Sequence, residues 1–147
     1  MFVVDTNVLV YAANRDSPFH ARCSALLSGW REQSGAWFLS WGIIYEFLRV
    51  VTHPRVVETP WSLQNAWVFV EGLLASPGLI LLGETRRQPQ VMQSVMDEVP
   101  ALAGNLLHDA HIAVLMREHG VRRIYTRDTD FHRFRFLEPL DPLALSA

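Results

Sequence analysis

The sequence predicts an α/β fold: a three-layer α/β/α sandwich around a central, mostly parallel sheet of about five strands. Short apolar runs, too brief for helices, alternate with longer segments of helical periodicity. Capping and turn residues stand at nearly every junction between them. The chain has 147 residues, half of them apolar and 19% charged, enough for a buried core. We therefore expect one domain over residues 1–147.

Phe2–Val4 is the first strand. Asp5, Thr6 and Asn7 offer capping side chains before a helix over Val8–Ala13. A second helix is expected from Pro18 to about Trp30, and Gly35 precedes a strand over Ala36–Leu39. Ser40 can cap a helix from Trp41 to Val51, which Thr52-His53-Pro54 ends. A helix over Trp61–Ala75 leads through Pro77-Gly78 into a buried strand, Leu79–Leu82. Thr85–Asp97 has helical character and is followed by Pro100 and Gly104. Leu106, Ile112, Ala113 and Met116 give Asn105–His119 a helical spacing, closed by Gly120. Arg123–Thr126 is the next strand, and Phe136–Leu137 is expected as a last edge strand before Pro139 and Pro142. No internal repeat, low-complexity tract or linker divides the chain.

Composition removes several function classes. All thirteen basic residues are arginine. The absence of lysine excludes P-loop NTPases and Schiff-base enzymes, and weighs against phosphoryl-aspartate enzymes that pair the phosphate with lysine. Cys23 has no partner for a disulfide and suits a small apolar filler. No segment resembles a secretory signal, and no apolar run approaches the ~18 residues of a membrane span. A cytoplasmic location with no membrane partner is the expectation. The net charge of −2 is not that of a typical nucleic-acid binder. Six arginines nevertheless cluster between Arg117 and Arg135.

Parallel sheets bind ligands beyond the carboxyl ends of their strands. Asp5 directly follows the first strand, and Asp128 lies two residues beyond Arg123–Thr126. Glu46 is embedded in the apolar stretch Ile43–Leu48, and Asp109 opens the helix that continues to Ile112 and Ala113. Each has a plainer use. Asp5 and Asp128 can cap or turn the chain, Glu46 can pair with Arg49, and Asp109 can favour the helix dipole. Converging carboxylates, however, repel one another and raise their pKa values. A hard divalent cation, Mg²⁺ or Mn²⁺, relieves that repulsion with all-oxygen coordination.

Val3-Val4-Asp5-Thr6-Asn7 resembles the opening of PIN domains, where a strand delivers the first acid. Ile43 to Pro54 resembles the helix carrying their second acid, and Asn105 to Ala113 the third-acid helix of VapC-like toxins. Tyr125-Thr126-Arg127-Asp128-Thr129-Asp130-Phe131 resembles the fourth motif. The motifs occur in family order over residues 3–131. The resemblance implies a Mg²⁺- or Mn²⁺-dependent endoribonuclease, homodimeric and inhibited by a VapB-like antitoxin. Asp5, Glu46, Asp109 and Asp128 would form its acidic pocket. Thr6, Asn7, Thr126 and Asp130 would support it, and Arg127 and Arg133 would hold RNA. It further implies in-line hydrolysis leaving a 3′-hydroxyl and a 5′-phosphate.

Other readings stay open at this level. His108, His111 and His132 flank the pocket and suit metal-independent acid–base cleavage of RNA. A housekeeping RNA-processing nuclease and a non-catalytic binding module use the same fold. The five tryptophans suit the core or a partner's groove better than base stacking.

Overall fold

The computed structural model of the protein describes residues 1–144. Its strands are Val3–Val4 (β1), Trp37–Ser40 (β2), Leu79–Leu82 (β3), Arg123–Tyr125 (β4) and Glu138–Leu140 (β5). Its α-helices are Thr6–Ala13 (α1), His20–Glu32 (α2), Trp41–Val51 (α3), Leu63–Leu74 (α4), Gln88–Glu98 (α5) and Leu106–Glu118 (α6), with a 3₁₀ turn at Thr129–Arg133. The five strands form one sheet in the order β3-β2-β1-β4-β5. Every pairing is parallel. β1 is central, and both its valines are buried, as a strand covered on both faces requires. β3, expected to be buried, is instead an edge strand in which only Leu82 is buried and Ile80 is exposed.

The chain winds outward from β1 through β2 to β3, then crosses back to β4 and β5 on the other side of β1. The winding therefore reverses between β1 and β4, where Val3 pairs with Ile124 and Val4 with Tyr125. Such a reversal opens a crevice at the carboxyl ends of the two strands. Ser40 caps α3, its hydroxyl accepting from the Ile43 N–H at 3.2 Å. α3 then buries Ile43, Ile44, Phe47, Leu48 and Val51 along one stripe and turns Glu46 and Arg49 away from it. On α6, Gly120 has φ +69°, while the Val121 and Gly120 N–H groups bond the Met116 and Arg117 carbonyls. This left-handed cap is the glycine stop expected from the sequence. Phe131 and Phe134 are fully buried and pin the 3₁₀ turn to the core. Each such side chain contributes about 1.5–3 kcal/mol.

Several boundaries differ from expectation for local reasons. α1 begins at Thr6 because Asp5 alone caps it, accepting from the Thr6 N–H at 2.7 Å. α2 begins at His20, since Ser17 bonds the Phe19 N–H at 3.1 Å and holds Pro18 in a turn. α4 begins at Leu63, capped by the Ser62 hydroxyl on the Asn65 N–H. α5 begins at Gln88, because Thr85 binds the Glu118 carboxylate through both its N–H and its hydroxyl. The last strand is Glu138–Leu140, not Phe136–Leu137. It accommodates Pro139 because Glu138 N–H donates to Arg122 and Leu140 C=O accepts from Thr126. The proline nitrogen thus falls on the outer side of an edge strand, where no donor is needed.

Candidate metal centre

Asp5 is delivered by β1 into the crevice and is 6% exposed. Its Oδ1 accepts from Thr6 N–H, and its Oδ2 accepts from the Asn7 amide at 2.8 Å and the Thr126 hydroxyl at 2.7 Å. Thr126 Oγ1 in turn accepts from Asn7 at 3.2 Å and from the Asp128 N–H at 2.9 Å. One hydroxyl therefore uses its donor and both acceptor positions. Asn7 Oδ1 accepts from the Arg127 N–H at 3.2 Å, closing a network across the carboxyl ends of β1 and β4. Burial pushes the Asp5 carboxyl above the usual range, opposed by its hydrogen bonds and reinforced by Asp128.

Beside it stand Asp109 on α6 and Asp128 and Asp130 on the 3₁₀ turn. The three offer carboxylate oxygens within 4.8 Å of one another. Asp128 Oδ1 also caps the turn by accepting from the Asp130 N–H at 2.9 Å. Burial, followed by the charges of Asp128, Asp5 and Asp130, pushes the Asp109 carboxyl up to about 7. Three half-buried oxygen donors that repel one another match the demands of a hard divalent cation. The donor set thus fits a divalent cation.

Asp5, Glu46, Asp109 and Asp128 line one cavity of about 780 Å³. Glu46 stands apart from the three-carboxylate group. Arg49 grips it in two bonds, Nη2 to Oε1 at 2.6 Å and Nε to Oε2 at 3.0 Å. That pairing holds the Glu46 carboxyl below the usual range. Asp130, expected only as a supporting residue, is drawn into the group by the 3₁₀ turn. His108 and His111 reach the same cavity, and His111 meets Glu84 at 2.8 Å. His132 does not line that cavity; it lies between a cleft with Arg133 and Arg135 and a small pocket shared with Thr126 and Asp128.

Most of the clustered arginines already have acidic partners. Arg117 grips Glu98, Arg122 and Arg123 meet Glu138, Arg127 meets Asp141 at 3.3 Å, and Arg133 meets Asp130 at 3.4 Å. Arg127 also lies over the Phe19 ring. Trp30 and Trp37 are core residues, whereas Trp41 is exposed beside Tyr45 on α3. Cys23 is buried in the core.

The PIN domain family model matches residues 2–137. Ribonuclease VapC48 of Mycobacterium tuberculosis is 35% identical over 95% of this chain and 96% of its own. Ribonuclease VapC43 of the same organism is 36% identical over 97% of this chain and 96% of its own. Among solved structures, the fold matches VapC20 of Mycobacterium tuberculosis, a sarcin-ricin loop cleaving toxin, with TM-score 0.66 and 17% identity over 93% of this chain and 97% of that one. It also matches VapBC2 from Rickettsia felis, bound there to a promoter DNA fragment, with TM-score 0.62 and 15% identity over 95% and 96% of the two chains. The chain belongs to the PIN domain family, among the relatives of the VapC ribonucleases.

Proposed function

We propose that the protein is a Mg²⁺- or Mn²⁺-dependent endoribonuclease of the VapC toxin type. It acts as one cytoplasmic domain, forms a homodimer, and is inhibited by a VapB-like antitoxin. The observation carrying this reading is the Asp109, Asp128 and Asp130 group, of which Asp109 and Asp128 line an open cavity together with buried Asp5. The kinship with VapC ribonucleases supplies the substrate class, RNA. Among the described residues, no helix is long and apolar enough to cross a membrane.

Asp5, Asp109, Asp128 and Asp130 would hold the cation, with Glu46 completing the set. When bound, the cation would supply Lewis acidity, neutralising phosphate charge as water attacks in line. Thr126 and Asn7 fix Asp5 Oδ2 and the Thr6 N–H fixes Oδ1, so the carboxylate does not reorganise as the substrate enters. Asp128 is held by its own backbone bond to Thr126 and by the turn it caps. Asp109 retains a proton to about pH 7, so loading the site requires that it be released. The products would carry a 3′-hydroxyl and a 5′-phosphate. Arg127 and Arg133 would turn from Asp141 and Asp130 to the RNA backbone. Replacing both with alanine should lower the slope of log affinity against log salt by about 2, and an unchanged slope removes them from that role.

The test is cleavage of labelled structured RNA with Mg²⁺ or Mn²⁺, with chelator, and by an Asp5→Asn variant. Loss of cleavage in both controls is expected. Cleavage that survives chelation shifts the chemistry to His108 and His111. Folded protein that cuts none of several RNAs favours a binding module, or a target too selective for the panel.

A further inference from the structure

Among the described residues, Arg49 supplies the one guanidinium that lines the cavity of Asp5, Glu46, Asp109 and Asp128. It faces Asp5, Glu46, Asp109 and Asp128, and His108 and His111 are the remaining groups there that can carry positive charge. In the protein alone, Arg49 engages both oxygens of Glu46. Neither oxygen is then presented singly to the neighbouring carboxylate group, and Glu46 stands outside it. A phosphodiester entering the cavity adds another negative charge beside the acids. Arg49 is the permanent cation on the wall that can meet it.

The pair is also built to part. Arg49 is 60% exposed and Glu46 45%, and exposed pairs of this kind hold weakly. A buried pair could not be opened without leaving a stranded charge. The guanidinium fork that matches two carboxylate oxygens matches two phosphate oxygens equally well, which a point charge does not. α3 fixes where the fork can reach, because Phe47, Leu48 and Val51 bury the opposite stripe of the helix.

We propose that Arg49 is a substrate-contacting residue that changes partner during the reaction cycle. In the free protein it grips Glu46. When RNA enters, the fork moves to the non-bridging oxygens of the phosphate to be cut and releases the Glu46 carboxylate toward the cation site. This rests on the nuclease reading above.

The experiment compares wild type, Arg49→Ala and Arg49→Lys by Mn²⁺ titration of RNA-free protein and by steady-state cleavage. Arg49→Ala should bind Mn²⁺ at least as tightly as wild type, since Glu46 is no longer held away, yet lose about 100-fold in kcat. Arg49→Lys should recover only part of that loss, because it keeps the charge without the fork. Wild-type kcat in Arg49→Ala overturns the proposal. Weakened Mn²⁺ binding in that variant also overturns it, because Arg49 would then only prop Glu46 in place. If wild type shows no metal-dependent cleavage, the nuclease reading itself fails, before any variant is compared. The position is exposed, so a thermal melt of each variant should match wild type.

Discussion

Two acids line the same cavity and are held in opposite ways. Asp5, at the junction of β1 and α1, is buried, and its carboxylate accepts three hydrogen bonds from Thr6, Asn7 and Thr126. Glu46, midway along α3, is half-buried and held by one exposed arginine, Arg49. The first wall is fixed by a network that joins the ends of β1 and β4. The second can rearrange at little cost. A site that must position a cation and still admit a long polymer gains from having one wall of each kind.

The sharpest way to break this contrast is Asp5→Ala. It strands the donors of Thr6, Asn7 and Thr126 and should destabilise the fold by about 2–4 kcal/mol, read by denaturant unfolding. A change near zero would make the two walls equivalent. Thr126→Val removes the hydroxyl that uses all three of its bonding positions and should cost about 1–2 kcal/mol. A third measurement uses pH. In the folded protein Asp109 keeps its proton to about pH 7, against an ordinary value of 3.8. The folded state binds the extra proton across that window, so without divalent cation stability falls as pH rises from 3.8 toward 7 and is level above it. Asp109→Asn should lack this fall, and thermal melts of the pair across the window isolate it. Parallel curves would remove the strain assigned to the carboxylate group. The smallest effect is expected at Glu46→Gln, with a Tm within about 2 °C of wild type even where cleavage drops. A larger fall would show that the α3 wall is structural too.

The sequence revealed the fold wherever periodicity and caps agreed, as at Ser40 before α3 and Gly120 after α6. It misplaced the last strand because a proline normally ends a ladder, and only the pairing with β4 shows that Pro139 sits on the outer side. Thr85 resembled a helix start because its true partner, Glu118, is distant in the chain. In the site, Asp5 was seen both as a cap and as a candidate ligand, and its hydrogen bonds serve both descriptions. Asp130 was underrated because its closeness to Asp109 depends on how the 3₁₀ turn is pinned by Phe131 and Phe134. The Glu46–Arg49 pair was visible from its spacing. Its place on the cavity wall was not, since that depends on how α3 is rotated over the sheet.

The proline on β5 also decides how crowded copies of this protein meet. A strand with no outward N–H at its centre is a poor template for a foreign strand, so that border of the sheet resists edge-to-edge accretion. The opposite border is β3, whose Leu79–Leu82 run is apolar throughout and leaves Ile80 51% exposed. Any fibril-forming tendency should therefore be one-sided and begin at β3. A single Ile80→Lys gatekeeper should raise the concentration at which the protein precipitates, whereas a charge added beside Pro139 should leave it unchanged.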